Sequence, residues 1–285
     1  MPANFPHLEP HIGPIASNVI NELSALSEPP YVGYGARIET PNMMPVTGTS
    51  QIPWFSGPLY KNLMVRHSHC LPLYSMARDG RREAIADGVY TGGTRAPEPH
   101  PGKITISKET GAPMIHYVLT KEDRASIVEG LVLAAEVAIT AGATELYTSC
   151  LHGSPYVVPP GSVGLGTATP GFREWCAELR RLGNQPDQLG LASGHQMGTC
   201  RMSAESWERS VGLPEEKPVP GNAKPGVVDH EGRVFGVHGL WVCDGSVLPG
   251  APGVNPMVTI MSTADGISRK ICERWQSSGG FRSKH

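Results

Sequence analysis

No C-x-x-C pair occurs among the six cysteines (Cys70, Cys150, Cys176, Cys200, Cys243 and Cys272), and no charged-then-apolar leader opens the 285-residue chain. A disulfide framework and a secretory signal are disfavoured on those grounds, and a reducing intracellular compartment is expected. Charge of one sign is also scarce: 24 Lys and Arg against 26 Asp and Glu leave a net charge of −2, with no long block of either. That excludes the footprint of a nucleic-acid groove or a polybasic membrane surface. The patterns G-x-S-x-G, G-x-x-x-x-G-K-[ST] and H-E-x-x-H are all missing, which removes several common enzyme readings.

A continuous apolar span is missing too. The longest candidate, "IVEGLVLAAEVAITAGA" at 127–143, carries Glu129 and Glu136 and follows Glu122. Seven-residue spacing stacks these three carboxylates along one face of a helix whose other faces are apolar, so a core helix is expected and no transmembrane segment.

Turn formers, by contrast, are abundant. The 34 glycines and 27 prolines make up more than a fifth of the chain and predict long irregular connections. Neither glycine pair that resembles a dinucleotide motif completes it. Gly164-Leu165-Gly166 has Thr169 where the third glycine belongs, and Gly33-Tyr34-Gly35 has Ile38, so both are expected to be loops.

Along the chain, "SNVINELSAL" within 1–30 reads as one short helix between proline-rich flanks, and 31–66 as an irregular apolar segment bounding a cavity. There Met43, Met44, Trp54 and Phe55 are candidate pocket walls, although such residues are as readily core. "GKITISKETGAPMIHYVL" predicts a hairpin with strands at 103–107 and 113–119. A helix then runs from an N-cap at Thr120 to Gly142, and another spans Thr169-Pro170 to Gly183. Strands broken by glycine turns follow Pro225, and a last helix opens behind Pro256. Strands grouped with strands and helices with helices make the expected class α+β: an antiparallel sheet flanked by helices, without a run of βαβ units.

Two polar residues stand beside tight turns near the C-terminus, His195 in "SGHQMGTCRM" and Asn255 in "PGVNPMVTIMSTADG". Each has a plain structural reading: a hydrogen-bonded histidine, and an asparagine N-cap before proline. A metal site built from His195, Cys200, Cys243 and His230 or His238 lacks the paired short spacing of zinc motifs and is not expected.

"GHQMGTCRM", "GVVDHEGRVFGVHGLWVCDGSVLPG" and "GVNPMVTIMSTA", in that order, resemble the C-terminal half of the glucose–methanol–choline (GMC) flavoprotein oxidoreductases. The resemblance is strongest to the long-chain fatty alcohol oxidases. "GYGARIETPNMMP", "PWFSGPLYKNLM" and "HYVLTKEDRASIVEGLVLAAEVAITAGA" extend it upstream, over most of 31–271.

The resemblance implies FAD as cofactor and a small-molecule alcohol as substrate, primary and of unstated chain length, with O₂ as acceptor in the oxidase branch. His195 matches the histidine that takes the hydroxyl proton, and Asn255 the residue that holds the substrate oxygen. Asp244, Gly245, Asn255, Pro256 and Met257 match the cofactor side, where a helix N-terminus stabilises negative charge on the reduced flavin. It further implies a partial substrate-binding domain at 1–200 and, at 201–285, a C-terminal strand and helix returning to the FAD domain. The Rossmann-like N-terminal part is absent from this sequence, so a separate N-terminal FAD-binding half is an expected partner. A non-catalytic truncated domain stays open as the second reading. Membrane association follows from the family alone, and the tail Ser283-Lys284-His285 resembles the peroxisomal Ser-Lys-Leu address.

Overall fold

A computed structural model describes residues 9, 12, 16–25, 34–79, 103–117, 119–162, 164–203 and 226–277; the tail address at 283–285 lies outside them. The chain divides into two compact units, Met1–Arg81 with Leu119–Ala192, and Arg82–Val118 with Ser193–His285. Mixed helices and small antiparallel sheets make up the described residues.

In the first unit, strands β1 (Ala16–Ile20), β2 (Gly35–Pro41) and β3 (Tyr74–Arg78) form an antiparallel sheet in that order. Ala36 and Ile38, two apart on β2 and so on one face of the pleat, are both buried. The expected helix at 17–26 is corrected. Among its described residues only α1 (Glu22–Ala25) is helical, while Val19 and Ile20 pair with Glu39 and Ile38. A ten-residue helix is marginal by itself, and β-branched residues gain more from an available strand edge.

The irregular segment expected at 31–66 is also more regular than its sequence implies. Beside β2 it forms α2 (Pro45–Ser50) and α3 (Gly57–Val65). Their start signals are Pro45 and a Ser56 hydroxyl that accepts from the Leu59 N–H at 3.3 Å. Met43 is buried, whereas Met44, Trp54 and Phe55 are exposed.

Helix α4 (Lys121–Thr140) starts as expected: the Thr120 hydroxyl accepts from the Asp123 N–H at 3.0 Å. Gly142 ends the segment at φ +95°. Glycine inside a helix normally costs stability relative to alanine, but Gly130 is required here. A Cβ would lie 2.1 Å from the Ser75 Oγ on β3 and 2.7 Å from the Ala36 Cβ on β2. The Ser75 hydroxyl donates to the Ile127 carbonyl at 2.8 Å in the same notch. On the far side, Val132, Ala135 and Ile139 join Cys150, Tyr156, Phe172, Cys176, Leu179 and Leu182 in one core, the last four from α5 (Pro170–Gly183). Burial pushes the Cys176 thiol up to about 11. The glutamate face stays out of this core, and Glu129 takes a two-pronged bond from Arg180 at 2.8 and 2.9 Å.

Arg66, just after α3, donates to both oxygens of Glu145 on strand β6 (Glu145–Leu146) at 2.7 and 2.9 Å. The guanidinium bond, outweighing burial, holds the Glu145 carboxyl below its ordinary range, helped by the Tyr147 hydroxyl. A carboxyl lowered by folding stabilises the fold above the ordinary glutamate range and loses that contribution as pH falls through its folded value. The pair is partly exposed, so its worth is about 0.2–1 kcal/mol. The stability gap between wild type and Glu145→Gln is therefore expected to shrink as pH is lowered from 7 to 3, read by urea melts across that range.

In the second unit, β4 (Lys103–Ile106) and β5 (Pro113–His116) form the expected antiparallel hairpin, with Ile104 opposite Ile115. The last helix, α6, spans Met257–Ser277. The strands expected after Pro225 reduce, among the described residues, to single bridges such as Val228 with Val234 and Arg233 with Trp241. Glycines at 232, 236 and 239, each at positive φ, turn the chain before a ladder can extend.

Candidate functional site

The site region is assembled wholly within the second unit, from 193–203, 226–248 and the start of α6. Its foundation is a small core of Val228, Val247 and Ile267, with Met202, Val234, Trp241, Val242 and Ile271 packed around it. Asp229 shapes one wall. Burial alone would raise its carboxyl, but bonds from the Arg233 and Glu231 amides and the Arg233 guanidinium hold it below the ordinary range. Those bonds measure 2.9, 2.9 and 2.6 Å. Glu231 in turn accepts from Arg274 on α6, with the Nε bond at 3.0 Å, and that pairing holds its carboxyl low.

Gly232 closes this turn at φ +75°, and a Cβ there would lie 2.7 Å from the Val242 carbonyl oxygen and 2.8 Å from Ile267. Left-handed backbone and overlap with a fixed carbonyl both penalise a side chain. Gly232→Ala is expected to cost on the order of 2–4 kcal/mol, measured as a fall in the denaturation midpoint.

His195 lies on the exposed stretch 193–196. The strip that follows is pinned: the Cys200 N–H donates to the Ser246 carbonyl at 3.0 Å, and the Met202 N–H to the Val247 carbonyl at 2.8 Å. Gly198 makes the bend between them at φ +86°. Asp244 is exposed, and its Oδ1 accepts from the Ser246 N–H at 2.8 Å, capping the short helical turn Gly245–Val247. Bonding from the Ser246 hydroxyl, with that N–H bond beside it, keeps its carboxyl below the ordinary range. Gly245 is the meeting point. A Cβ on it would fall 2.9 Å from the Ile260 Cδ1 of α6 and 3.5 Å from the Gln196 carbonyl oxygen.

The His195 strip and the first turn of α6 thus both abut Gly245. Asn255 is exposed and stands five residues before Ile260. The plain alternative reading of it as N-cap is not what the backbone shows: the Pro256 carbonyl accepts from the Ile260 N–H at 2.7 Å. The residue whose carbonyl takes the first helical bond is the cap, so buried Pro256 fills that position and Asn255 lies one residue outside. Met257 follows, exposed, with Val258 and Met261 beside it.

A flavin fits these residues on two counts. The first N–H groups of α6 lack helical partners, and Met257, Val258 and Met261 present exposed apolar surface at the start of that helix, with exposed Asn255 just before it. Sequence reasoning missed Gln196, Ser246 and Ile260, which stand inside the three C-terminal motifs but were not singled out within them. The ion network of Asp229, Glu231, Arg233 and Arg274 was foreshadowed only by the turn "DHEGR". Among the described residues no group of three or more His, Cys, Asp or Glu is placed to hold a metal ion, and no helix is long and apolar enough to cross a membrane.

Residues 221–264, which include these turns and the start of the helix they precede, match the C-terminal family model of the GMC oxidoreductases. Two homologues are the long-chain-alcohol oxidases FAO4B and FAO3 of Arabidopsis thaliana, each 29% identical, over 86% and 92% of this chain. An uncharacterized GMC-type oxidoreductase of Mycobacterium tuberculosis is 30% identical over 56% of it. The chain spans 27% and 29% of the two plant relatives' length and 20% of the bacterial one's.

Proposed function

We propose that this chain supplies the alcohol-handling side of an FAD-dependent oxidoreductase acting on primary alcohols, long-chain ones among them. The carrying observation is that His195 and Asn255 are exposed on two segments that meet at Gly245. FAD, when bound, supplies the acceptor for the hydride that leaves the carbinol carbon, and O₂ is the proposed final oxidant.

The chain's own residues do the rest. Nε2 or Nδ1 of His195 takes the hydroxyl proton, a task for which imidazole suits near neutral pH. The Asn255 amide donates to the alcohol oxygen and fixes its angle. Asp244 holds the Gly245 turn against which both segments rest. The uncovered face of Met257, Val258 and Met261 accepts apolar surface, from cofactor and alkyl chain or from a flavin-binding half. That face favours a second reading, in which the chain is completed by a separate flavin-binding partner.

The test is purification of the 285-residue chain with FAD, alone and mixed with the N-terminal half of a homologous long-chain-alcohol oxidase. A flavin absorbance band with aldehyde formation from a primary alcohol supports the proposal. Activity only in the mixture selects the partner-completed form. Absence of flavin binding and turnover in both overturns it in favour of a non-catalytic domain.

A further inference from the structure

The turn presenting His195 is held on both sides by the residue that follows it. The Gln196 Nε2 donates to the Ser193 carbonyl oxygen at 2.8 Å, closing a four-residue loop with His195 third in it. The Gln196 carbonyl oxygen lies 3.5 Å from the Cβ position of Gly245, so its backbone rests on the turn that Asp244 caps. Residues 193–196 are exposed and outside any regular element. Such a segment samples many conformers unless local side-chain bonds remove them.

Resting on the reading of His195 as the group that takes the alcohol proton, we infer that Gln196 is a positioning residue for His195. Its amide bond to Ser193 holds the His195 backbone, and through it the imidazole, in one orientation. Gln196 touches the chemistry only through its neighbour. The bond is a single, partly solvated one, so its loss is expected to lower kcat about 3–10-fold.

Three variants test this. Gln196→Ala removes the donor, Gln196→Glu keeps the shape but donates only when its carboxyl is protonated, and His195→Ala controls the underlying reading. In the flavin-bound protein, both Gln196 variants should lower kcat 3–10-fold at pH 8 with KM, flavin content and Tm unchanged. The ratio of Gln196→Glu to Gln196→Ala turnover should rise as pH falls from 8 to 5. In the chain without flavin, the backbone order parameter of His195 should drop from about 0.85 to below about 0.6 in Gln196→Ala. Wild-type kcat in both Gln196 variants, an unchanged order parameter, or a kcat loss matched by lost flavin and lower Tm overturns the inference. If His195→Ala also retains turnover, the reading of His195 falls with it; if only the Gln196 variants do, the positioning role alone falls.

Discussion

In the flavin-bound protein, His195→Ala is expected to lower primary-alcohol turnover by about 10²–10⁴-fold, the usual worth of a positioned acid–base group. Flavin content should not change. The side chain sits on an exposed stretch, while the bonds that hold the strip in place run through the Cys200 and Met202 amides to Ser246 and Val247. Truncating the imidazole removes none of these, so stability should stay within about 0.5 kcal/mol, as for other surface substitutions. Steady-state turnover with a primary alcohol, alongside flavin absorbance, separates the outcomes. Turnover within threefold of wild type removes His195 from the mechanism.

Phe172→Ala is expected to destabilise the first unit by about 3–5 kcal/mol. Phe172 is among the largest fully buried side chains. It meets Tyr156 edge-on at 5.5 Å and stacks with Trp175 at 6.2 Å. Removing it forfeits the burial of a ring and leaves a cavity where α5 faces α4, and the aromatic neighbours lose their contacts as well. Phe172→Leu keeps most of the volume and should cost less than about 1.5 kcal/mol. Denaturant midpoints at constant slope would read both, and equal midpoints for the two variants would show that the ring is not the keystone of that core.

Helices α4 and α5 of the first unit were legible because their signals are local. Thr120 caps α4, Glu122, Glu129 and Glu136 repeat at seven, and Pro170 opens α5; each acts on neighbours within a turn or two. The same is true of the 103–116 hairpin, written in alternation and a glycine turn. Where local signals were weak, they misled. Val19 and Ile20 lie in a strand because β2 is beside them, and the glycine-dense segment after Pro225 keeps only bridges.

His195 and Asn255 stand out as candidate site residues only through the motif resemblance, since histidine and asparagine beside turns are by themselves ordinary. The sequence by itself singled out His195 and Asn255 as candidates for the chemistry, and determined the glycine turns beside them and the Thr120 cap. Tertiary structure alone decided that Pro256 rather than Asn255 caps the last helix, and that Gly130 and Gly245 must lack side chains. It also decided that Gln196 braces the turn of its neighbour. For Gly130 and Gly245 the reason is a distant segment packed against the missing side chain; for Pro256 and Gln196 it is a local bond, to the Ile260 N–H and the Ser193 carbonyl, that the residue types do not announce until the chain has folded.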